Sequence, residues 1–123
     1  MALSMTPEQL EAYRATRRRR AAEDAERRRA RAQAARRLAQ EAAEVLRTRY
    51  GATEVILFGS LAEDEAFGMR SDIDLAARGL GRAHFSALGR LLALSPEFEF
   101  DLVDLDSCPQ GLRDAILSRG VAL

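Results

Sequence analysis

Residues 58–75, FGSLAEDEAFGMRSDIDL, end an apolar run with a Gly-Ser pair and then place Asp72 and Asp74 one residue apart. Alternate residues of a strand point to the same face of a sheet, so we expect the two carboxylates to project together from a strand over residues 71–76. Like charges side by side repel each other, and either solvent or a cation has to make that arrangement tolerable. The stretch therefore predicts a strand that carries an acidic site.

The segments around this stretch predict the remaining elements of a small domain. The nearly continuous apolar run over residues 54–58 is typical of a buried strand, and the alternation over residues 98–105 predicts a third strand. Helices are expected over residues 82–94 and 110–119, where apolar side chains recur at helical spacing. The side chains expected in the core are Phe58, Phe85, Leu88, Leu91, Leu92, Phe98, Phe100, Leu102, Leu112, Ile116 and Leu117. This order of elements predicts an α/β (α+β) fold, a small mixed β-sheet flanked by helices.

The first 50 residues predict one long helix, or two helices joined without a visible break. Thr6 and Gln9 form a capping box around Pro7, and Gly51 suits a left-handed C-cap. Residues 14–34 contain no apolar side chain larger than Ala and are rich in Arg, so we expect residues 1–34 to form a solvated arm and residues 35–123 to form the domain. An apolar stripe should pack the rest of the helix on the core: Ala35, Leu38, Ala39, Ala42, Val45, Leu46 and Tyr50.

The net charge of zero hides an asymmetry between the two parts of the chain. Residues 1–50 carry 13 Arg against 7 acids, whereas residues 51–123 carry 6 Arg against 12 acids. The complete absence of Lys, with abundant Ala, is typical of GC-rich codon usage, so the Arg clusters alone are weak evidence for a function. Nucleic-acid contact through the arm is therefore an alternative that we do not favour over docking on an acidic partner or self-association.

Cysteine content and hydropathy indicate a cytoplasmic protein. The single cysteine, Cys108, excludes an internal disulfide. The N-terminal residues lack the pattern of a secretory signal, and no apolar run approaches the length needed to cross a bilayer. We therefore expect no membrane association.

A third carboxylate and the Gly-Ser pair extend the acidic site. Asp101, on the third predicted strand, would lie beside Asp72 and Asp74 if the two strands are neighbours. Mg²⁺ prefers a few carboxylate oxygens and leaves positions for water and phosphate groups, and two such ions can align a nucleophile and a leaving oxygen. Gly59 permits a tight turn with close backbone approach, and the hydroxyl of Ser60 can receive a phosphate. The pattern predicts a site for Mg²⁺ and phosphate.

These three motifs, in this order, resemble those of the nucleotidyltransferase superfamily that includes DNA polymerase β. The more specific pattern FGSLA…SDIDLA…FDLVDLD…LRDAILSRGVAL is similar to the bacterial minimal nucleotidyltransferases (MNT), which are commonly the antitoxins of HEPN-type ribonuclease toxins. The resemblance covers about residues 38–123 and leaves residues 1–37 outside it.

The resemblance implies a role for each residue of the site. Asp72 and Asp74 would be metal ligands, and Asp101 would be the third carboxylate, nearest the attacking hydroxyl. Gly59 and Ser60 would hold the β- and γ-phosphates of a nucleoside triphosphate, with ATP expected. The family reaction transfers a nucleoside monophosphate to a hydroxyl and releases pyrophosphate, and the acceptor in the antitoxin branch can be a tyrosine of the toxin. Glu99, on the same strand face as Asp101, is the alternative third ligand.

Two features differ from the family pattern and keep a second hypothesis open. The spacing between Ser60 and Asp72 is one residue longer than usual, and Glu63-Asp64-Glu65 stands where a basic residue and a glycine are common. Acids beside a triphosphate disfavour its binding, and Arg70 is the nearest basic residue that could compensate. The second hypothesis is a catalytically silent binding module that neutralises a partner protein by covering it. On either hypothesis, we expect a partner or a second subunit to complete the site.

Overall fold

The computed structural model describes residues 4–63 and 67–123. In chain order, the helices are α1 (Pro7–Tyr50), α2 (His84–Leu92) and α3 (Gln110–Arg119). The strands are β1 (Glu54–Phe58), β2 (Ile73–Arg78), β3 (Phe100–Asp104) and β4 (Val121–Ala122). Short 3₁₀ turns cover Gly59–Leu61 and Gly81–Ala83. The predicted mixed sheet flanked by helices is confirmed.

The four strands form one sheet in the order β3-β2-β1-β4. β1 runs antiparallel to both β2 and β4, whereas β2 and β3 are parallel. Two parallel strands need a crossover connection, and α2 lies in the connection between β2 and β3. The sheet is therefore mixed because one pair of strands is joined through a helix.

The two faces of the sheet are covered very differently. The larger core lies between one face and the helices α1 and α2, and its strand residues include Leu57, Leu75 and Leu102. The opposite face carries a small cluster under α3, formed by Ile56, Ala76, Leu105 and Ile116. Asp74 and Asp101 belong to this second face because they alternate along their strands with the buried Leu75 and Leu102. The thinner cover on this face leaves room for a site.

α1 begins and ends as its sequence predicts. The side chain of Thr6 accepts a hydrogen bond from the backbone N–H of Gln9, and the side chain of Gln9 accepts one from the N–H of Thr6. Gly51 closes the helix at a φ of 74°. Ala35, Ala39, Ala42 and Leu46 are fully buried, and Leu38 and Tyr50 pack partly buried against the same core. The apolar stripe is therefore the face of α1 that contacts the sheet.

Contact between α1 and the domain begins one turn before this stripe. The Arg31 guanidinium carbon lies 4.3 Å from the centre of the Phe98 ring and 5.7 Å from that of Phe67. Arg31 Nε also donates a hydrogen bond of 3.3 Å to the carbonyl of Gly68, and the neighbouring Ala32 is buried. An arginine predicted to belong to a solvated arm therefore anchors the helix.

Four predictions of buried side chains, two on α2 and two on α3, are wrong. Phe85 is 83% exposed, because α2 turns Ala87 and Leu91 to the core and leaves Phe85 and Leu92 on its outer side. On α3, Ile116 is buried as predicted, but Leu112 and Leu117 are more than 40% exposed. The apolar patch beneath α3 is small because the adjoining part of that face carries aspartates. β4 lies outside the predicted elements, since two residues give no periodicity.

Candidate active site

Two of the three predicted aspartates sit opposite each other on neighbouring strands. Asp74 of β2 pairs in register with Asp101 of β3, and on its other side with Phe58, the last residue of β1. Residues paired in register point to the same face, so the two carboxylates project together. Asp72 precedes β2 by one residue and is exposed. The sequence placed Asp101 beside the other aspartates on condition that the two strands are neighbours, and β2 and β3 are paired.

The Gly59 turn lies directly against Asp74. Gly59 has a φ of 73°, which glycine adopts without steric cost, and it opens the 3₁₀ turn that follows β1. A Cβ added at this position would overlap the Oδ2 atom of Asp74 and approach its Cγ to 3.1 Å. The absence of a side chain at Gly59 therefore leaves the space that the Asp74 carboxylate occupies.

Burial and neighbouring charge raise the pKa of Asp74 from its ordinary value of 3.8 to about 6. Desolvation of the half-buried carboxylate is the largest cause, followed by the charges of Asp101 and then Asp72. Each cause penalises the ionised form, because neither low polarity nor a like charge favours a carboxylate. The three aspartates are thus close enough to repel one another, as their arrangement in the sequence predicts.

The donors fit Mg²⁺ in kind, although they do not form a ready-made cage. Within residues 4–63 and 67–123, no three His, Cys, Asp or Glu side chains converge closely enough to be recognised as a metal site. Mg²⁺ is commonly held by one or two carboxylates, with water and substrate phosphates as its other ligands. Desolvation is the largest cause of the raised pKa of Asp74, and a bound cation would relieve the repulsion from Asp101 and Asp72 that adds to it.

The other predicted site residues lie in three different segments of the chain. Ser60 is partly buried within the turn, which Leu61 anchors in the larger core with 1% exposure. Arg70 is exposed in the segment before β2. Glu99 is exposed, and its carbonyl accepts a hydrogen bond of 2.9 Å from the N–H of Ile73, at the start of β2.

The acidic segment after Ser60 is described in part. Glu63 is exposed, and its N–H lies 3.3 Å from the carbonyl of Gly59. Asp64 and Glu65 lie outside the described residues.

The C-terminal part of α3 adjoins the site, which the sequence motifs do not predict. A groove of about 160 Å³ lies between the Gly59 turn and α3. Its lining residues are Phe58, Gly59, Glu63, Leu112, Ala115, Ile116 and Arg119. The sequence signal for this placement is the Gly120-Val121-Ala122 segment, because its glycine and β-branched residue permit an extended chain after the helix. The signal is ambiguous, because a glycine at this position is equally typical of a helix cap.

α3 is held over this face by its own arginine. Arg113 Nε donates to the carbonyl of Leu105 at 2.8 Å, and its Nη2 donates to the carbonyl of Cys108 at 3.1 Å. These bonds tie the first turn of α3 to the end of β3 and to the loop that connects them. The helix thereby keeps its position beside the Gly59 turn with only one buried side chain, Ile116.

Comparison with known proteins finds a family over most of the chain. The family model described as polymerase beta, nucleotidyltransferase, matches residues 40–123. No curated protein sequence matches the chain.

Solved structures resemble the chain over about two thirds of its length. A chain of a toxin–antitoxin structure with AMP-PNP is 24% identical, with a TM-score of 0.58 over 68% of this chain and 70% of that one. A chain of a variant MntA–HpeT toxin–antitoxin complex is 25% identical, with a TM-score of 0.56 over 68% and 69%. A chain of the tri-AMPylated Shewanella oneidensis HEPN toxin in complex with MNT antitoxin is 21% identical, with a TM-score of 0.53 over 72% and 70%.

Proposed function

Because the chain belongs to the polymerase beta nucleotidyltransferase family, we propose that it is a Mg²⁺-dependent nucleotidyltransferase that uses ATP and acts as the antitoxin of a HEPN-type toxin. The observation that carries this proposal is the placement of Asp74 in register with Asp101 and against the Gly59 turn. Acidic side chains and a phosphate-accepting turn meet there at the more open face of the sheet.

The reaction that fits this site is transfer of a nucleoside monophosphate. The acceptor hydroxyl oxygen forms a bond to the α-phosphorus, the bond from that phosphorus to the bridging oxygen breaks, and pyrophosphate leaves with the bridging oxygen. Asp101 is an exposed carboxylate on this face, and it is suited to receive the proton of the incoming hydroxyl. Asp72, Asp74 and Asp101 would hold two Mg²⁺ ions, which would supply positive charge to the phosphate oxygens.

The phosphates would bind at the turn that follows β1. Gly59 lets the backbone approach closely, and Ser60 offers its hydroxyl and N–H groups. Arg70 is the basic residue in the segment that connects the Gly59 turn to Asp72. In this arrangement, the β- and γ-phosphates lie beside the turn and the α-phosphate lies nearer the aspartates.

A partner protein would supply the acceptor. The three similar solved structures are toxin–antitoxin structures, and they include one with AMP-PNP and one with an AMPylated HEPN toxin. We propose that a tyrosine of a HEPN-type toxin receives AMP from this chain, and that both proteins meet in the cytoplasm, where ATP and Mg²⁺ are available. No helix within the described residues is both long and apolar enough to cross a membrane.

One observation favours a second candidate function, a silent binding module with the same partner. Glu63 is exposed and lines the groove beside Gly59, where its negative charge opposes a bound triphosphate. In that case the chain would neutralise the toxin by covering it, without transferring a nucleotide.

Co-expression with a HEPN-type protein, followed by intact-mass measurement of that protein, separates the two functions. The transferase predicts that the HEPN-type protein gains the mass of one or more AMP groups with the wild type and none with an Asp72→Asn/Asp74→Asn variant. The binding module predicts a stable complex with an unchanged mass in both cases. Absence of both complex and added mass would contradict both functions.

A further inference from the structure

The chain after α3 runs alongside β1 and brings the last residue of the helix to the Gly59 turn. Val121 pairs with Leu57 and Ala122 pairs with Ile56 in an antiparallel register. Gly120 separates this pairing from Arg119, the last residue of α3, and Arg119 lines the same groove as Phe58 and Gly59. Gly120 has extended backbone angles, with φ −76° and ψ 166°, so the chain is already straight at this point.

Close packing at Gly120 fixes the position of Arg119. A Cβ added at Gly120 would overlap the side chain of Ile56 and approach the carbonyl oxygen of Leu57 to 3.1 Å. The glycine backbone therefore rests directly on β1, and the N–H of Gly120 donates a hydrogen bond of 2.8 Å to the carbonyl of Ile116. Because both neighbours of this junction are regular elements, the Arg119 backbone has little freedom to move from the turn.

Arg119 shares the groove of about 160 Å³ with Phe58, Gly59 and Glu63. Its side chain is exposed, and it forms no ion pair or hydrogen bond with another side chain in the described part of the chain. The segment between Ser60 and Arg70 contains no basic residue. A nucleoside triphosphate at the Gly59 turn would therefore meet Glu63 and the aspartates, with the Arg119 guanidinium as the cation lining the groove.

We propose that Arg119 binds the β- and γ-phosphates of the nucleotide beside the Gly59 turn, so that α3 supplies the basic residue that the segment after Ser60 lacks. This inference rests on the proposed nucleotide-using function. A guanidinium suits the task because its planar set of N–H donors matches phosphate oxygens in a two-bond arrangement. The same contact would hold pyrophosphate, the leaving group of the reaction, until the product is released.

Calorimetric titration of the full chain with AMP-PNP and with inorganic pyrophosphate, each with Mg²⁺, tests the inference. Arg119→Gln should weaken binding of both probes about 10- to 100-fold, the loss expected for a hydrogen bond between charged groups. Arg119→Lys should weaken it less, because it keeps the charge and loses the two-bond geometry. Arg90→Gln, an exposed arginine on α2, is the matched control and should bind as the wild type does.

Each outcome decides between the inference and the function on which it rests. Equal binding by the wild type and Arg119→Gln would overturn the role of Arg119 and leave the proposed function standing. Loss of AMP-PNP binding with retained pyrophosphate binding would also overturn it, because the contact would then involve the sugar or base. A wild type that binds neither probe, even with its partner protein present, would contradict the proposed transferase and the inference with it.

A second variant protects the test from a folding artefact. Glu63→Gln changes an exposed residue of the same groove and should tighten binding of both probes several-fold, because it removes a like charge from the phosphate site. If Arg119→Gln proves to be less stable in thermal unfolding, Glu63→Gln becomes the deciding variant. Unchanged or weaker binding by Glu63→Gln would then overturn the placement of the phosphates in this groove.

Discussion

At the residue scale, the contact between Gly59 and Asp74 joins the two halves of the site. Gly59 ends β1 in a conformation with positive φ, and Asp74 fills the space where another residue would carry a side chain. The turn that would receive phosphates and a carboxylate that would bind a metal are thus fixed against each other. A change at either residue should therefore be felt at the other.

Gly59→Ala should destabilise the chain more than Gly51→Ala does. Both glycines have a φ near 74°, so each substitution incurs a similar backbone cost of about 1 kcal/mol. A Cβ at Gly51 would meet nothing within 4 Å, whereas one at Gly59 would overlap Asp74. We expect an additional loss of about 1–2 kcal/mol at Gly59, measured by chemical denaturation. Equal losses at the two positions would show that Asp74 does not lie against the turn.

Asp74→Asn should stabilise the protein above pH 7 and give no advantage near pH 4. An acid whose pKa rises on folding, here to about 6, keeps its proton longer in the folded state, so the stability of the wild type falls as the pH rises from about 4 to 6. If the whole pKa shift of Asp74 acted on the free energy of unfolding, it would change that energy by about 3 kcal/mol. Because Asp74 is only half-buried and solvent screens its neighbours, we expect about 1 kcal/mol.

Denaturation of the wild type and Asp74→Asn at several pH values, with and without Mg²⁺, measures this effect. The difference between the two proteins should appear between about pH 4 and pH 6, and Mg²⁺ should reduce it at about pH 7.5 by stabilising the wild type. A difference that stays constant from about pH 4 to pH 8 would contradict the raised pKa of Asp74.

At the element scale, α1 is attached to the domain by an arginine as well as by alanines. The stacking of Arg31 on Phe67 and Phe98 carries the contact past the end of the apolar stripe. Arginine can bury its stem and its flat guanidinium face on aromatic rings while its edges reach polar groups, here the carbonyl of Gly68. The first anchoring turn of α1 is therefore held by a charged residue.

Arg31→Ala should lower the free energy of unfolding by about 1–2 kcal/mol, since it removes the aromatic contacts and one hydrogen bond. Arg20→Ala is the matched control, because Arg20 is exposed on the same helix and should cost less than about 0.5 kcal/mol. Chemical denaturation measures both. A loss at Arg31 no greater than that at Arg20 would show that the stacking does not stabilise the folded chain.

Elements with a clear local signal were predictable from the sequence, and those defined by distant contacts were not. Thr6, Gln9 and Gly51 set the ends of α1 through local hydrogen bonds and φ preference, and the alternation of Asp72, Ile73 and Asp74 set the faces of β2. Arg31 is indistinguishable in sequence from its neighbours in the arm, because its role comes from rings at residues 67 and 98. β4 and the position of Arg119 depend on pairing with β1, which no local pattern encodes.

The acidic residues of the candidate site were predictable because their motifs have a clear local pattern. The motif order placed Asp74 and Asp101 together on condition that their strands are neighbours, and only the structure shows that pairing. The exposure of Phe85 and Leu112 was not predictable, because it depends on how much apolar surface the sheet offers to α2 and α3. Periodicity reveals which residues share a helix face, but not whether a partner surface exists to cover that face.

At the scale of the whole molecule, the larger core and the proposed site lie on opposite faces of the sheet. The face under α1 and α2 holds the larger core, and the other face holds the aspartates beside the lightly packed α3. An arm that extends N-terminally of Arg31 adds little to either face. The domain boundary near residue 35 remains a prediction that truncation can test.

Deletion of residues 1–26 should leave the thermal midpoint within a few degrees of the full chain, because that part of α1 is mostly exposed. Deletion of residues 1–34 should cost about 1–3 kcal/mol, since it also removes Arg31 and the buried Ala32. Thermal and chemical unfolding of both truncated forms compares them directly. A large loss on the shorter deletion would show that the arm is part of the folded domain.

The proposed transferase activity is tested first by calorimetric titration of the full chain with AMP-PNP, with and without Mg²⁺, beside the Asp72→Asn/Asp74→Asn variant. A working transferase predicts binding that requires Mg²⁺ in the wild type and is lost in the variant, since the aspartates would hold the ion on which the phosphates depend. The variant should fold at least as well as the wild type, because it removes two mutually repelling charges. Binding that is independent of Mg²⁺ and of both aspartates, or no binding by the wild type even with its partner protein present, would contradict a nucleotidyltransferase site at Asp72 and Asp74.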